Sequence, residues 1–408
     1  MIRWLASRAL AAAVSLLVCL LLVSFPYIDL ALDLTLLGRH LDTPLADLVG
    51  AALVPVAALA WLLRRGLARA GGRAAPRAPG LPGYALMVAV GLLALATVPD
   101  PGASAWFLLR KPVFFFVAYG VVLASAVAHV VTPTLLRRIL LTTIAVTSLV
   151  SLATSVGRIA AGNTLWFSAI DGLTNNHKTL AVALAPLVPL ALSLRRGRVD
   201  TTIAGLAVVA IALSLSRTAW IATAAGLTFL LMWRGRTLAS RRGVLVSVVI
   251  IGVLGSLYGP LLMRSSVQLD AARSRHSLDK RAWQMAAEHP VLGMGGGASV
   301  RVEMQTFPHY RVNGVDAHGA VQKVLGEYGG VGLLGYVAFV GAMALRLRRR
   351  APMARPGGDG LAHRDVDVGI WAAFVALHVN LLLSTETFSQ THWIPLGIVW
   401  GLSHRRAA

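Results

Sequence analysis

The sequence predicts an all-α, polytopic membrane protein of about twelve transmembrane helices with one long polar loop on its outer side. Three observations carry that expectation. Of the 408 residues, 56% are hydrophobic and only 13% are charged, where a soluble chain of this size carries about 25% charged residues; the mean hydropathy is +0.70. Apolar runs close to the ~20 residues that cross a bilayer recur from end to end. Basic residues collect in alternate loops. A β-barrel would need apolar and polar residues to alternate along each strand, and these runs do not alternate.

In chain order the expected spans are Trp4–Ser24, Pro44–Leu63, Pro82–Val98, Phe107–Val131, Ile139–Val156, Thr179–Leu194, Thr201–Ser216, Thr218–Trp233, Gly243–Leu261, Val321–Leu345, Val368–Ser384 and Thr391–Leu402. Arg3 and Arg8 precede the first span. Its length and the spans after it favour a retained signal anchor over a cleaved signal peptide. Cys19 lies inside it, and a single cysteine excludes a disulfide framework and a Cys-based metal site. The Arg/Pro/Gly-rich stretches Arg64–Gly80 and Arg348–Gly360 read as flexible connectors. No internal repeat stands out, so residues 1–408 read as a single integral membrane domain.

Charge sets the expected orientation. With the N-terminus in the cytoplasm, alternate loops hold Arg64/Arg65/Arg69/Arg73/Arg77, Arg137/Arg138, Arg195/Arg196/Arg198, Arg234/Arg236/Arg241/Arg242 and Arg346/Arg348/Arg349/Arg350/Arg355/Arg364. Arg3, Arg8, Arg405 and Arg406 join them, which puts most of the 38 basic residues inside. This is the positive-inside pattern, with both termini cytoplasmic. The net charge of +21 therefore reports topology; spread over short loops, it argues against nucleic-acid binding.

Three outer segments are polar: Gly157 to Lys178, the short turn at Arg217, and Met263 to Gln322, the long loop between spans nine and ten. The last holds an expected surface helix from about Ser277 to His289, ended by Pro290 and the glycine run Gly293–Gly297.

Arg217 stands where two apolar helices meet, a costly place for a guanidinium unless it is paired or working. A guanidinium stays charged and can hold two phosphate oxygens at once. Arg281 shares a helical face with Met285 and Glu288, and Trp283 suits the headgroup level. The glycines that follow would let backbone approach a ligand closely. His318 can take a proton near neutral pH, with Asp316 two residues away to orient the ring. Glu327, nine residues beyond, reads as a capping or packing carboxylate. Asp365-Val366-Asp367 falls on the cytoplasmic side at a helix start, where acidic residues favour the helix dipole. No His/Cys cluster has zinc spacing, and no phosphate loop of the nucleotide-binding kind is present. Neither a metal nor a cofactor is expected.

Together these residues resemble the O-antigen ligase and O-antigen polymerase superfamily. The resembling parts are Ser216-Arg217-Thr218-Ala219 after a helix, Arg281-Ala282-Trp283 leading to His289-Pro290-Val291-Leu292-Gly293-Met294-Gly295, and His318 leading to Leu325-Gly326-Glu327-Tyr328-Gly329 and Gly332. Asn175-Asn176-His177-Lys178 forms a weaker fourth element, and the similarity runs from about Asp171 to Leu334. Where relatives often carry a polar residue such as Asn directly after the histidine, this chain has Gly319.

The resemblance implies a GT-C-like fold and an enzyme of the bacterial inner membrane. It implies transfer of O-antigen glycan from undecaprenyl pyrophosphate to a sugar hydroxyl of lipid A-core at the periplasmic face. On that reading His318, Arg281 and Arg217 are catalytic, and Lys178, Asn176, Arg301, Arg311 and Asp316 contact substrate. His318 is the base, the arginines stabilise the leaving diphosphate in place of a metal, and direct displacement inverts the anomeric carbon. An O-antigen polymerase or a protein O-oligosaccharyltransferase would use the same donor with another acceptor. A lipid or solute transporter, from a different class, would carry charges near the bilayer midplane and broken helices in paired halves; only His378 lies plainly mid-span.

Overall fold

The computed structural model of the chain describes residues 2–26, 31–36, 39–68, 80–98, 100–160, 177–194, 197–214, 216–234, 252, 279–298, 319–350, 360–384 and 388–404. These residues form helices α1 (Ile2–Ser24), α2 (Leu45–Ala68), α3 (Leu81–Ala94), α4 (Pro101–His129), α5 (Pro133–Ala160), α6 (His177–Leu194), α7 (Arg198–Leu213) and α8 (Arg217–Arg234). They continue with α9 (residues 279–288), α10 (Ala320–Arg350), α11 (Gly360–Leu383) and α12 (Gln390–His404). Among the described residues, four stretches are long and apolar enough to cross a membrane: Pro101–His129, Pro133–Ala153, Ala320–Arg348 and Val366–Leu383. The expected span Gly243–Leu261 lies outside the described residues. Each other expected span coincides with one of these helices, with ends displaced by several residues.

One element departs from the helical expectation. β1 (Ala31–Leu36) and β2 (Arg39–Pro44) form an antiparallel hairpin, with Leu34 opposite Leu41 and Asp33 opposite Asp42. Leu32, Leu34 and Leu36 alternate with Asp33 and Thr35, which is the period-two signature of a strand.

The helices begin where the local chemistry allows. Asp100 accepts a hydrogen bond from the Ala103 amide (2.9 Å) just before Pro101 opens α4. Thr132 does the same for Leu135 (3.2 Å) before Pro133 opens α5. Each is a side-chain cap followed by a proline, whose missing N–H costs nothing in a first helical turn. Inside α4, Pro112 removes a donor where one is needed, and the helix widens into π turns over Leu109–Val113 and Phe116–Leu123. The Tyr84 hydroxyl donates to the Pro112 carbonyl (2.9 Å).

Packing is close where side chains are small. α12 carries Gly397 and Gly401 four residues apart against α4; a Cβ at 401 would lie 2.6 Å from the Ala124 carbonyl oxygen. Such small-residue contacts hold helices together in a bilayer, where lipid tails are as apolar as leucine. Aromatic rings fill the space between α3, α4, α10 and α12. Tyr84 stacks on Phe116 (centroids 4.4 Å), and Trp393 stacks on Phe339 (6.0 Å). α11 runs along both α6 and α8, and α10 runs along α3. Leu16, Leu92, Leu93, Leu149, Leu334 and Val337 face outward. At one end of the bundle, in the region of the basic loops, Arg137 of α5 bonds Asp200 of α7 through Nε at 3.2 Å.

Candidate functional site

The site is built on the first part of α10. This helix is broken at Gly329 (φ 65°, ψ −171°), a conformation that only glycine adopts readily. In an unbroken helix the amides of Gly330 and Val331 would bond to the carbonyls of Gly326 and Glu327. Here the segment after α9 takes both places. Met294 and Gly295 donate to the Gly326 and Glu327 carbonyls, each at 3.0 Å, and Gly330 and Val331 donate to the Pro290 and Val291 carbonyls at 2.7 and 3.4 Å. Two helical hydrogen bonds are thus replaced by four between segments. The stretch His289–Gly297 and the stretch Glu327–Gly332 splint one another, and each leaves the other's backbone polar groups satisfied.

This changes the meaning of the glycine run. The sequence suggests backbone open to a ligand; the structure packs it against the protein. Gly293 (φ 71°) would bring a Cβ within 2.5 Å of the Tyr328 amide nitrogen, and one at Gly297 would lie 2.9 Å from the Phe107 ring.

Arg281 lies on α9, half-buried. Its Nη1 is 3.7 Å from Glu288 Oε1 and 3.4 Å from Gln284 Oε1. The buried side of α9, Ala282 and Met285, rests on α10: a Cβ at Gly326 would lie 3.3 Å from the Ala282 carbonyl oxygen. Trp283 is exposed on the other side.

Arg217 opens α8 and is exposed. The turn before it is tightly bonded. Ser214 Oγ donates to the Ile211 carbonyl (2.6 Å) and accepts from the Ser216 amide (3.2 Å), and Ser216 Oγ accepts from Ala219 (3.4 Å). Trp220 Nε1 donates to Ile211 (2.8 Å). Next to the arginine, Thr218 Oγ1 reaches the Leu383 carbonyl at 3.5 Å. The following residue, Ser384, accepts from the Gly319 amide at 3.0 Å.

Gly319 is the residue directly after His318. It has φ 98°, and a Cβ there would lie 3.0 Å from the Leu382 carbonyl oxygen. This explains a glycine at this position: the backbone turns through a region that L-residues avoid and is pressed against α11. The Arg217 turn therefore borders the end of α11, the residue following His318 bonds to that same end, and the Arg281 helix rests on the second turn of α10. His318, Asp316, Arg301, Arg311 and Asn176 lie outside the described residues, and Lys178 falls in the first turn of α6.

Several polar residues are buried in arrangements that the sequence does not indicate. Lys323 and Glu327, one turn apart on α10, are 2% and 0% exposed. The Lys323 ammonium faces the rings of Phe107 (5.6 Å) and Phe388 (5.7 Å). Glu327, expected as a capping or packing carboxylate, is fully buried. Near the start of α12, Asp47 Oδ1 accepts from both the Tyr119 hydroxyl and Gln390 Nε2, each at 2.8 Å. His392 is buried against His378, with ring centroids 5.8 Å apart. A charged residue inside an apolar span, such as Lys323 within Val321–Leu345, is the signal that could have found the first pair. Asp47 and Gln390 sit beside expected helix starts, where polar residues are ordinary.

Comparison with known proteins adds one match. Residues 202–337 fit the family model described as O-antigen ligase, a range from α7 into the middle of α10 that includes Arg217, Arg281, His318, Lys323 and Glu327. No curated protein matches the chain. The family consists of membrane enzymes that transfer glycans. Over residues 202–337, about a third of its length, this apolar membrane chain is similar to the O-antigen ligase family.

Proposed function

We propose that the chain is an O-antigen ligase. It transfers O-antigen glycan from undecaprenyl pyrophosphate to a sugar hydroxyl of lipid A-core at the periplasmic face of the bacterial inner membrane. The observation that supports this most is the run of contacts from the Arg217 turn to the end of α11, from there to Gly319 at the start of α10, and from the second turn of α10 to the Arg281 helix.

The chemistry asks for little else. A sugar hydroxyl becomes a good nucleophile once its proton is removed, and His318 takes it. The oxygen attacks the anomeric carbon from the face opposite the diphosphate, so configuration inverts. Arg217 and Arg281 meet the negative charge that grows on the leaving diphosphate, as fixed cations that need no reorganisation during the step. A metal is not required for that role. Arg281 exchanges its contact with Glu288 for phosphate, a change with a small energetic cost because surface ion pairs are worth ~0–1 kcal/mol. Lys178, Asn176, Arg301, Arg311 and Asp316 contact donor or core. Both substrates are lipids of one leaflet, so the site has only to align two heads.

The topology that suits this reading has about twelve spans, both termini in the cytoplasm and residues 263–322 as the periplasmic loop. The Arg137–Asp200 pair then marks the cytoplasmic end.

The test is reconstitution with defined undecaprenyl-pyrophosphate glycan and three separate acceptors: lipid A-core, a second lipid-linked glycan, and an acceptor protein. Modification of lipid A-core is the expected result. Modification of the lipid-linked glycan alone would make the chain a polymerase, and modification of protein alone an O-oligosaccharyltransferase.

A further inference from the structure

Lys323 is the strongest unassigned feature near this site. A lysine 2% exposed is uncommon, since an ammonium removed from water is costly unless charge and hydrogen bonds compensate. Two ring faces, Phe107 and Phe388, stand 5.6 and 5.7 Å from the nitrogen. Rings attract a cation without neutralising it. Glu327 is buried one turn further along the same face. The residue comes one turn after Gly319, which bonds to Ser384 beside the Arg217 turn, and three residues before Gly326, on which the Arg281 helix rests. A third cation therefore lies on α10 between Gly319, which follows His318, and the seat of the Arg281 helix.

We propose that Lys323 is a substrate-binding residue that contacts the diphosphate of the lipid-linked donor. This deepens the ligase reading and rests on it. As the bond between anomeric carbon and diphosphate oxygen breaks, its electron pair goes to the diphosphate, which passes from two negative charges to three. The acceptor oxygen forms the new bond to carbon, and its proton goes to His318. Lys323 meets the added charge, and Glu327 balances the ammonium while the site is empty. Phe107 and Phe388 fix its direction.

The full chain in nanodiscs, with undecaprenyl pyrophosphate as the binding probe and inorganic pyrophosphate in a parallel arm, tests this. Three variants are compared with wild type: Lys323→Arg, Lys323→Gln, and Lys323→Met combined with Glu327→Gln. The double variant removes both buried charges, so it leaves neither uncompensated. Lys323→Gln and the double variant are expected to bind the lipid diphosphate about 10- to 100-fold more weakly, while Lys323→Arg, which keeps the charge, loses less. The lipid arm is expected to show the larger change, because the carrier lipid holds the diphosphate at the site. Wild-type affinity in the double variant would overturn the proposal, since Lys323 would then serve only to neutralise Glu327. An effect confined to the inorganic arm would also overturn it. Wild-type protein that binds no lipid diphosphate would instead overturn the ligase reading itself.

Discussion

Gly329→Ala is the most informative single change to the scaffold. The native backbone at φ 65°, ψ −171° lies in a region nearly closed to residues with a side chain, at a strain of about 1–3 kcal/mol. The added Cβ would also collide with the Val291 carbonyl and come within 2.7 Å of the Gly293 amide nitrogen. Relief requires the splint to move away. Losing two of its four hydrogen bonds costs about 1 kcal/mol each, so the variant should be less stable by about 3–5 kcal/mol, among the larger effects known for single substitutions. Gly341→Ala is the matched control: it lies on the same helix, and nothing is within 4 Å of its Cβ position. Its effect should stay within about 0.5 kcal/mol. Thermal unfolding in detergent compares the two, and hydrogen exchange at the Met294 and Gly295 amides reports the splint directly. Equal unfolding of both variants, with both amides still protected, would refute the reasoning.

Three further outcomes are expected. His318→Ala and Arg281→Ala should abolish transfer while the protein still inserts and accumulates; loss of a general base alone typically costs about 10²–10⁴ in rate. Full activity of either in a purified lipid-linked transfer assay would contradict the assigned roles. Transfer should persist in chelator, and a loss that only a divalent ion restores would count against arginine-based stabilisation. Asp47→Ala strips an acceptor from the Gln390 amide and one of two from the Tyr119 hydroxyl, which keeps the Ala46 carbonyl at 3.1 Å; at ~1–3 kcal/mol for a buried group left unmet, the midpoint of thermal unfolding should fall clearly, and an unchanged midpoint would show the network to be dispensable.

Much of the helical fold was legible in the sequence because a bilayer imposes a simple rule on apolar length. α5 and α11 announce themselves by apolar length, and α9 by its terminating proline and glycines. The hairpin at residues 31–44 was missed although Leu-Asp-Leu-Thr-Leu alternates, since a short strand pair beside long apolar runs carries little weight in a hydropathy reading. The break in α10 could not be read at all. Glycine is common in membrane helices, and the conformation of Gly329 depends on hydrogen bonds from residues more than thirty positions earlier in the chain. The arginine-bearing elements were legible as polar turns, but their linkage at the start of α10 was not. It depends on Thr218 reaching Leu383 and on Gly319 reaching Ser384, contacts between groups that sequence does not mark. Lys323 was passed over because one lysine at the mouth of a span resembles an ordinary interfacial residue, and only its burial between two phenylalanine rings sets it apart.

The most direct measurement is an electron cryomicroscopy map of the chain in a nanodisc with undecaprenyl pyrophosphate bound. The diphosphate is expected beside the first two turns of α10, with its oxygens within ~3.2 Å of the guanidinium groups of Arg217 and Arg281 and the His318 ring facing the same space. A diphosphate seated elsewhere in the bundle, or a His318 ring turned away from both arginines, would contradict the account.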